Sequence, residues 1–177
     1  AAELLKGRVV QTPVLESRLL NQMLGGRLLV KAECLQHTGS FKYRGALHRL
    51  LRLREDDPEA AARGVVAFSS GNFGQALAAA ATSLGIDCTI VSPHDAPPLK
   101  LERISKYGAR LRTSTAAEGE NREVAASALA RALSEGEGLT LLHPFDDPHV
   151  IHGQGTIGVE LLAQAHGERL LLAVVLE

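Results

Sequence analysis

The sequence predicts an α/β fold built on open parallel sheets with helices on both faces. Three observations carry that reading. Between residues 65 and 176, short apolar runs alternate with longer amphipathic ones in a βαβα rhythm. The short runs are apolar throughout, the pattern of strands buried on both faces. The junctions also carry proline, glycine and aspartate where helix starts and stops call for them. Strands are predicted at VVAFS (65–69), CTIVS (88–92), ARLRTS (109–114), LTLLH (139–143) and LLLAVVL (170–176), with an earlier one at RLLVKAE (27–33). Helices are predicted over 72–84, 97–107, 118–135 and 148–166. Pro97 and Pro98 open the second of these, and Asp147 with Pro148 forms an N-cap and first turn for the last. Gly108 and Gly136 suit helix ends.

At 177 residues the chain can bury one substantial core, organised as one domain or two small ones. Hydrophobic residues make up 45% and charged residues 22%, ordinary values for a globular protein. A formal net charge of −1, without a basic stripe, argues against nucleic-acid binding. No apolar run reaches the length of a membrane span, and AAELLKGRVV lacks the apolar segment of a signal peptide. Cys34 and Cys88 are isolated, so a reducing cytoplasm is the expected location.

The stretch TGSFKYRGALHRLLRL, Thr38 to Leu53, poses a question. Tyr43, Ala46, Leu47, Leu50 and Leu51 fall at helical spacing, so a helix is predicted to begin near Ser40. Lys42 and Arg44 then sit in its first turn, where free N–H groups and the macrodipole favour an anion. Two cations there are either a tolerated misplacement or a device.

FSSGNFGQALAAAA (68–81) places two hydroxyls, a glycine and an amide at a strand–helix junction. Gly71 lets a ligand approach the backbone, and free N–H groups at the helix start suit a carboxylate or phosphate. Alone this is a serine cap. Paired with a lysine at another junction, it suits a carbonyl cofactor and an amino-acid substrate. GQGTIG (153–158) matches GxGxxG but does not follow a strand directly, so it is not read as a dinucleotide site. Gly153, Gly155 and Gly158 are expected instead to allow close helix packing. HPFDDPHVIH (143–152) holds three histidines and two aspartates, yet matches no usual zinc spacing, and no metal site is expected there. His37, His48, His94 and His166 suggest no catalytic triad, and GxSxG and P-loop motifs are absent from the sequence.

TPVLESRLLNQ, KAECLQHTGSFKYRGAL, SSGNFGQAL, PHDAPPLKLERISKYGA and HPFDDPHVIHGQGTIGVEL, in this order, resemble successive landmarks of fold-type II pyridoxal-phosphate enzymes. The resemblance is to serine racemase and the serine/threonine dehydratases, and it runs from about Thr12 to the last residue. It implies pyridoxal 5'-phosphate as cofactor, a small hydroxy-amino acid as substrate and a homodimer as the assembly. It also implies a larger cofactor domain, to which residues 1–63 and 147–177 belong, and a small domain of residues 64–146.

By resemblance, Lys42 forms the Schiff base with the cofactor. A positive helix end and partial burial both disfavour an ammonium there, which answers the question of its placement. Phe41 packs beside the cofactor, and Asn72 hydrogen-bonds the ring hydroxyl. Ser69, Gly71 and neighbouring N–H groups hold the substrate carboxylate, with Ser70 and Phe73 completing the substrate side. The implied reaction begins when substrate displaces Lys42, whose freed amine removes the Cα proton. Loss of the β-hydroxyl then leads to a 2-oxo acid and ammonia. A proton returned by Ser70 on the opposite face gives the mirror-image amino acid.

Some residues depart from the pattern. Phe73 stands where several relatives have histidine. Phe145 stands where the racemase has a polar residue, so HPFDDP favours the dehydratase. The glycine-rich phosphate loop, the serine facing the pyridine nitrogen and the acidic divalent-cation site are expected beyond Glu177. A chain ending at that residue is therefore expected to bind cofactor weakly. Two alternatives stand beside the lyase reading: a β-replacement enzyme of the cysteine-synthase type, and a non-catalytic amino-acid-binding fragment.

Overall fold

The computed structural model describes residues 1–165 and the backbone of 172–176. The chain opens with α1 (Ala2–Leu5), β1 (Val14–Glu16), α2 (Arg18–Leu24) and β2 (Leu28–Ala32). Two 3-10 turns, Glu33–Leu35 and His37–Gly39, lead into α3 (Lys42–Asp56) and α4 (Pro58–Arg63). The rhythm read from the sequence follows: β3 (Val65–Phe68), α5 (Asn72–Leu84), β4 (Cys88–Pro93), α6 (Pro98–Lys106), β5 (Arg110–Ser114), α7 (Arg122–Glu137), β6 (Thr140–Leu141), α8 (Pro148–Gln164) and β7 (Leu172–Leu176).

These strands form two sheets. One has the order β5-β4-β3-β6 and is parallel throughout. The other has the order β1-β2-β7, in which β2 and β7 are parallel and β1 adds an antiparallel edge that the sequence reading did not foresee. The four-stranded sheet shows why its strands are apolar throughout. Val65 and Ala67 of β3 and Cys88 and Ile90 of β4 face a core shared with α3 and α5. Val66 and Val91, one position out of phase, face Ala126 and Ala130 of α7. Alternate side chains thus enter two different cores, and both faces need helices.

Where the boundaries differ from expectation, local capping explains it. The main helix begins at Lys42 rather than Ser40, because Ser40 has extended backbone while its Oγ accepts from the Lys42 N–H at 3.4 Å. The first residues expected in α7 form a turn instead, and Asn121 caps the helix by accepting from the Glu123 N–H at 2.8 Å. Its C-cap is Gly138 at φ 69°, while Gly136 lies inside the helix. Asp147 caps α8 as expected, its Oδ1 accepting from the His149 and Val150 N–H groups. His166, Leu170 and Leu171, expected in the last helix and strand, lie outside the described residues.

The α3–α8 crossing is the tightest backbone approach relevant to the site. A Cβ on Gly153 would lie 2.6 Å from the Arg44 carbonyl oxygen and 2.7 Å from Gly45 Cα. A Cβ on Gly45 would lie 2.9 Å from the Val150 carbonyl oxygen. Of the GQGTIG glycines only Gly153 performs the packing role expected of all three. Gly155 and Gly158 are on an exposed face, where an added Cβ would meet nothing within 4 Å.

Candidate active site

The two cations in the first turn of α3 have opposite surroundings. Arg44 is fully buried, with its guanidinium gripped by two carboxylates. Nε and Nη2 donate to Glu33 Oε2 and Oε1, each at 2.8 Å. Nη1 and Nη2 donate to Glu160 Oε1 and Oε2 at 2.6 and 2.9 Å. Val10 O and Thr156 Oγ1 accept further bonds from Nη2 and Nη1. Burial alone would lower the Arg44 pKa, but its bonds to Glu33 and Glu160 hold it above the ordinary value. Lys31 completes the cluster, its Nζ donating to Thr12 O at 2.7 Å, Glu160 Oε2 at 2.7 Å and Gln164 Oε1 at 2.8 Å. Two buried cations meet two carboxylates, so the cluster is neutral and ties α3, α8 and β2 together. Burial pushes the Glu160 pKa up, and the bonds from Arg44 and Lys31 bring it net below the usual carboxylate value.

The Lys42 ammonium has no such partners. Among the described residues it makes no hydrogen bond or ion pair, and its Nζ stands 4.8 Å from the centroid of the Phe41 ring. The loop feeding it is unusual. Thr38 has φ 64°, uncommon for a β-branched residue, and its buried Oγ1 has no hydrogen-bond partner. That turn, His37–Gly39, packs against α5, and α3 packs along α5. The TGSFK and SSGN segments are therefore neighbours in the fold.

At the second junction, β3 delivers Ser69 at the carboxyl edge of the parallel sheet, where ligands of open α/β sheets bind. The Ser69 Oγ accepts from the N–H groups of Gly71 at 3.2 Å and Gly74 at 3.0 Å, fixing the first turn of α5. Its hydroxyl hydrogen remains to be donated. The N–H groups of Ser70, Asn72 and Phe73 have no acceptor among the described residues. An added Cβ at Gly71 would meet nothing within 4 Å, so the turn is open on that side. Asn72 is half-buried, and its side chain makes no hydrogen bond among the described residues. The Ser70 Oγ donates to Glu123 Oε1 of α7 at 3.2 Å, a partner that sequence spacing did not suggest. The Phe73 ring is only 2% exposed and packs in the main core, so its backbone N–H is what it offers at the turn. Along the same sheet edge, the buried hydroxyls of Ser92 and Ser114 also lack partners.

Free N–H donors, an open glycine and an unpaired amine fit the aldehyde end and ring edge of a carbonyl cofactor, together with an amino-acid carboxylate. The sequence pattern of the family described as "Pyridoxal-phosphate dependent enzyme" matches residues 5–176, and the chain belongs to that family. It is 42% identical to serine racemase of Arabidopsis thaliana over 164 residues, which cover 93% of this chain and 47% of that protein. It is also 42% identical to L-threonine ammonia-lyase of Thermotoga maritima over 162 residues, covering 92% of this chain and 38% of that protein. The solved structure of maize serine racemase matches with a TM-score of 0.84 at 36% identity, covering 93% of this chain and 47% of that one. The chain thus spans about half the length, or less, of these relatives.

The buried ion cluster is what sequence reasoning missed. Its members are far apart along the chain. The available signal was charge inside apolar runs: Lys31 in RLLVKAE, Arg44 in YRGAL and Glu160 in IGVELLA.

Proposed function

We propose that the protein is a pyridoxal-phosphate-dependent ammonia-lyase for small hydroxy-amino acids of the serine and threonine class, with racemisation as a second outcome at the same site. The carrying observation is the half-buried Lys42 amine, which makes no hydrogen bond or ion pair among the described residues, while the buried Lys31 and Arg44 are both paired with carboxylates. Lys42, Phe41 and Asn72 would hold the aldehyde end and ring edge of the cofactor. Bound there, pyridoxal phosphate supplies an aldehyde that condenses with amino groups and a ring that accepts electrons from Cα. The Ser69 hydroxyl and the N–H groups of Ser70, Asn72 and Phe73 bind the substrate carboxylate, and Gly71 leaves it room. With the carboxylate fixed, Lys42 Nζ removes the Cα proton as general base. Ser70 Oγ, tied to Glu123, holds or returns a proton on the other face.

The names of the relatives, serine racemase and L-threonine ammonia-lyase among them, support both outcomes, and the Phe145 position favours the lyase. The split into a cofactor domain (1–63, 147–177) and a small domain (64–146) belongs to this proposal, as do a homodimer and a reducing cytoplasm. The exposed apolar side chains of α2, Leu19, Leu20, Met23 and Leu24, support a further contact surface, and Cys34 and Cys88 are free thiols.

The test is release of 2-oxo acid from L-serine and L-threonine by the cofactor-loaded protein. Ser70→Ala should suppress racemisation and D-serine turnover far more than L-serine dehydration. Equal loss for both enantiomers would make Ser70 a binding or structural residue. Cysteine formation from serine and sulfide without 2-oxo acid would assign a β-replacement enzyme instead.

A further inference from the structure

A second cluster of chemistry-bearing side chains sits at the α3–α8 crossing, formed by residues to which the proposed reaction assigns no role. The crossing closes at Gly153, where an added Cβ would also come within 2.9 Å of the His48 Cβ. His48 therefore stands at the contact itself, one turn of α3 beyond Arg44. His149 and His152, three residues apart at the start of α8, meet it on one face of that helix. The ring centroids are 6.0 Å apart for His48 and His149, 6.5 Å for His48 and His152, and 6.3 Å for His149 and His152.

His48 is only 3% exposed. Its Nδ1 lies 2.7 Å from the His149 carbonyl oxygen. A carbonyl can only accept, so Nδ1 carries the hydrogen, and in the neutral ring Nε2 keeps a lone pair. Nε2 makes no hydrogen bond among the described residues, and the ring lines a cavity of about 610 Å³. A proton on Nε2 would leave the bond to His149 in place. It would also give the buried ring a charge and a second donor, and the surroundings accept neither. Facing the ring are the Ala1 amino group and Glu3 from α1, Arg52 and Glu55 from α3, and His149 and His152 from α8. Glu55 already holds Arg52 at 2.7 Å. At the start of α8, Asp147 is likewise taken by Arg49 at 2.7 Å. Glu3 is the one carboxylate of the cavity without an ion pair among the described residues, and it lies two residues from the Ala1 amino group. Burial lowers the His48 pKa below its ordinary 6.5, against the opposing effect of the bond to His149. The Ala1 amino group and the two neighbouring rings lower it further.

We propose that His48, with His149 and His152 around it, is an acid-sensitive latch between α3 and α8. Neutral, the ring packs and hydrogen-bonds within the closed crossing. Protonated, it places an unpaired charge between the helices, and the start of α8 moves off α3 so that water can reach the ring. The open ring takes up a proton more readily than the closed one. The crossing is therefore at full strength above pH 6.5 and weakens as pH falls below that value toward the lower closed-state pKa. Glu160, whose folded pKa lies below 4.5, titrates outside this window. The latch secures the helix that carries Lys42, yet it does not depend on the reaction proposed for Lys42.

The test follows the purified protein from about pH 8 to about pH 5. NMR reports the three histidine rings, and hydrogen exchange reports the amides of Ile151 to Gln154, corrected for the intrinsic pH dependence of exchange. The His48 ring should titrate below 6.5. Opening of those amides should rise in the same range by up to about tenfold per pH unit, the limit for one proton. His48→Gln keeps an amide donor for the His149 carbonyl and cannot take a charge, so it should remove the rise. If that core variant does not fold, the double change His149→Gln, His152→Gln at the more accessible positions decides. It should move the His48 titration up toward 6.5 and shrink the rise. A His48 ring that titrates at or above 6.5 would overturn the proposal, as would opening that does not change with pH or a rise that persists unaltered in the deciding variant.

Discussion

Lys42 and Arg44 occupy the same helix turn, two residues apart, and their environments could hardly differ more. Arg44 is surrounded by acceptors from three segments, and its charge is cancelled where it is buried. Among the described residues Lys42 makes no hydrogen bond or ion pair, and it lies beside an aromatic ring and a loop with an unusual backbone. The contrast shows how one turn can anchor a helix through one cation and carry a second cation outside that ion cluster. Arg44 fixes α3 against α8 and β2, so Lys42 can remain unpaired without loosening the helix. The cost of desolvating Arg44 is offset only because both carboxylates are present, and removing one side of such a cluster strands the other.

The sharpest way to break this comparison is Arg44→Met. It leaves Glu33 and Glu160 facing a single remaining cation and should destabilise the protein by about 3–5 kcal/mol. Urea denaturation measures it, and a loss below about 1 kcal/mol would mean that the cluster is not an anchor. Second is Gly153→Ala, whose Cβ would press on the Arg44 carbonyl and Gly45 Cα, both backbone atoms with little room to move. A cost of about 1–3 kcal/mol is expected. The matched control, Gly155→Ala, meets open space and should instead stabilise the helix by up to about 1 kcal/mol.

Acid provides a third test. The Glu160 pKa is held below its ordinary value of 4.5 in the folded state. Its stabilising contribution is therefore full above that value and is lost as pH falls through the lower folded one. Glu160→Gln should flatten this part of the stability–pH curve, and an unchanged acid limb would contradict the assignment. A smaller effect is expected for Ser69→Ala, which removes the acceptor for two N–H groups at the start of α5 and should cost about 1 kcal/mol. Smallest of all, Lys42→Met should alter folding stability by no more than about 0.5 kcal/mol, since among the described residues the ammonium makes no hydrogen bond or ion pair and only its contact with the Phe41 ring is lost.

Much of the fold could be read from the sequence because its signals were local. The start of α5 follows from SSGN, and the start of α8 from Asp147 and Pro148. The double-sided burial of β3 and β4 follows from their unbroken apolar runs. Other features were hidden for identifiable reasons. The Val14–Glu16 strand is short and takes its identity from pairing with β2, so it has little pattern of its own. Gly136 looked like a helix end, but the left-handed turn falls two residues later at Gly138. Lys42 and the SSGN junction stood out in the sequence because turn chemistry marks them, whereas the roles given to them came from the family resemblance. The cluster around Arg44 and the Ser70–Glu123 hydrogen bond were not, because each joins residues that only the tertiary fold brings together.

Whether Lys42 is the reactive amine is tested most directly by trapping. The protein loaded with pyridoxal phosphate is reduced with borohydride, digested and mapped. The adduct should lie on Lys42, with Lys31 unmodified because three acceptors hold its buried amine. An adduct on Lys31 or on the exposed Lys100, with Lys42 unmodified, would contradict the account.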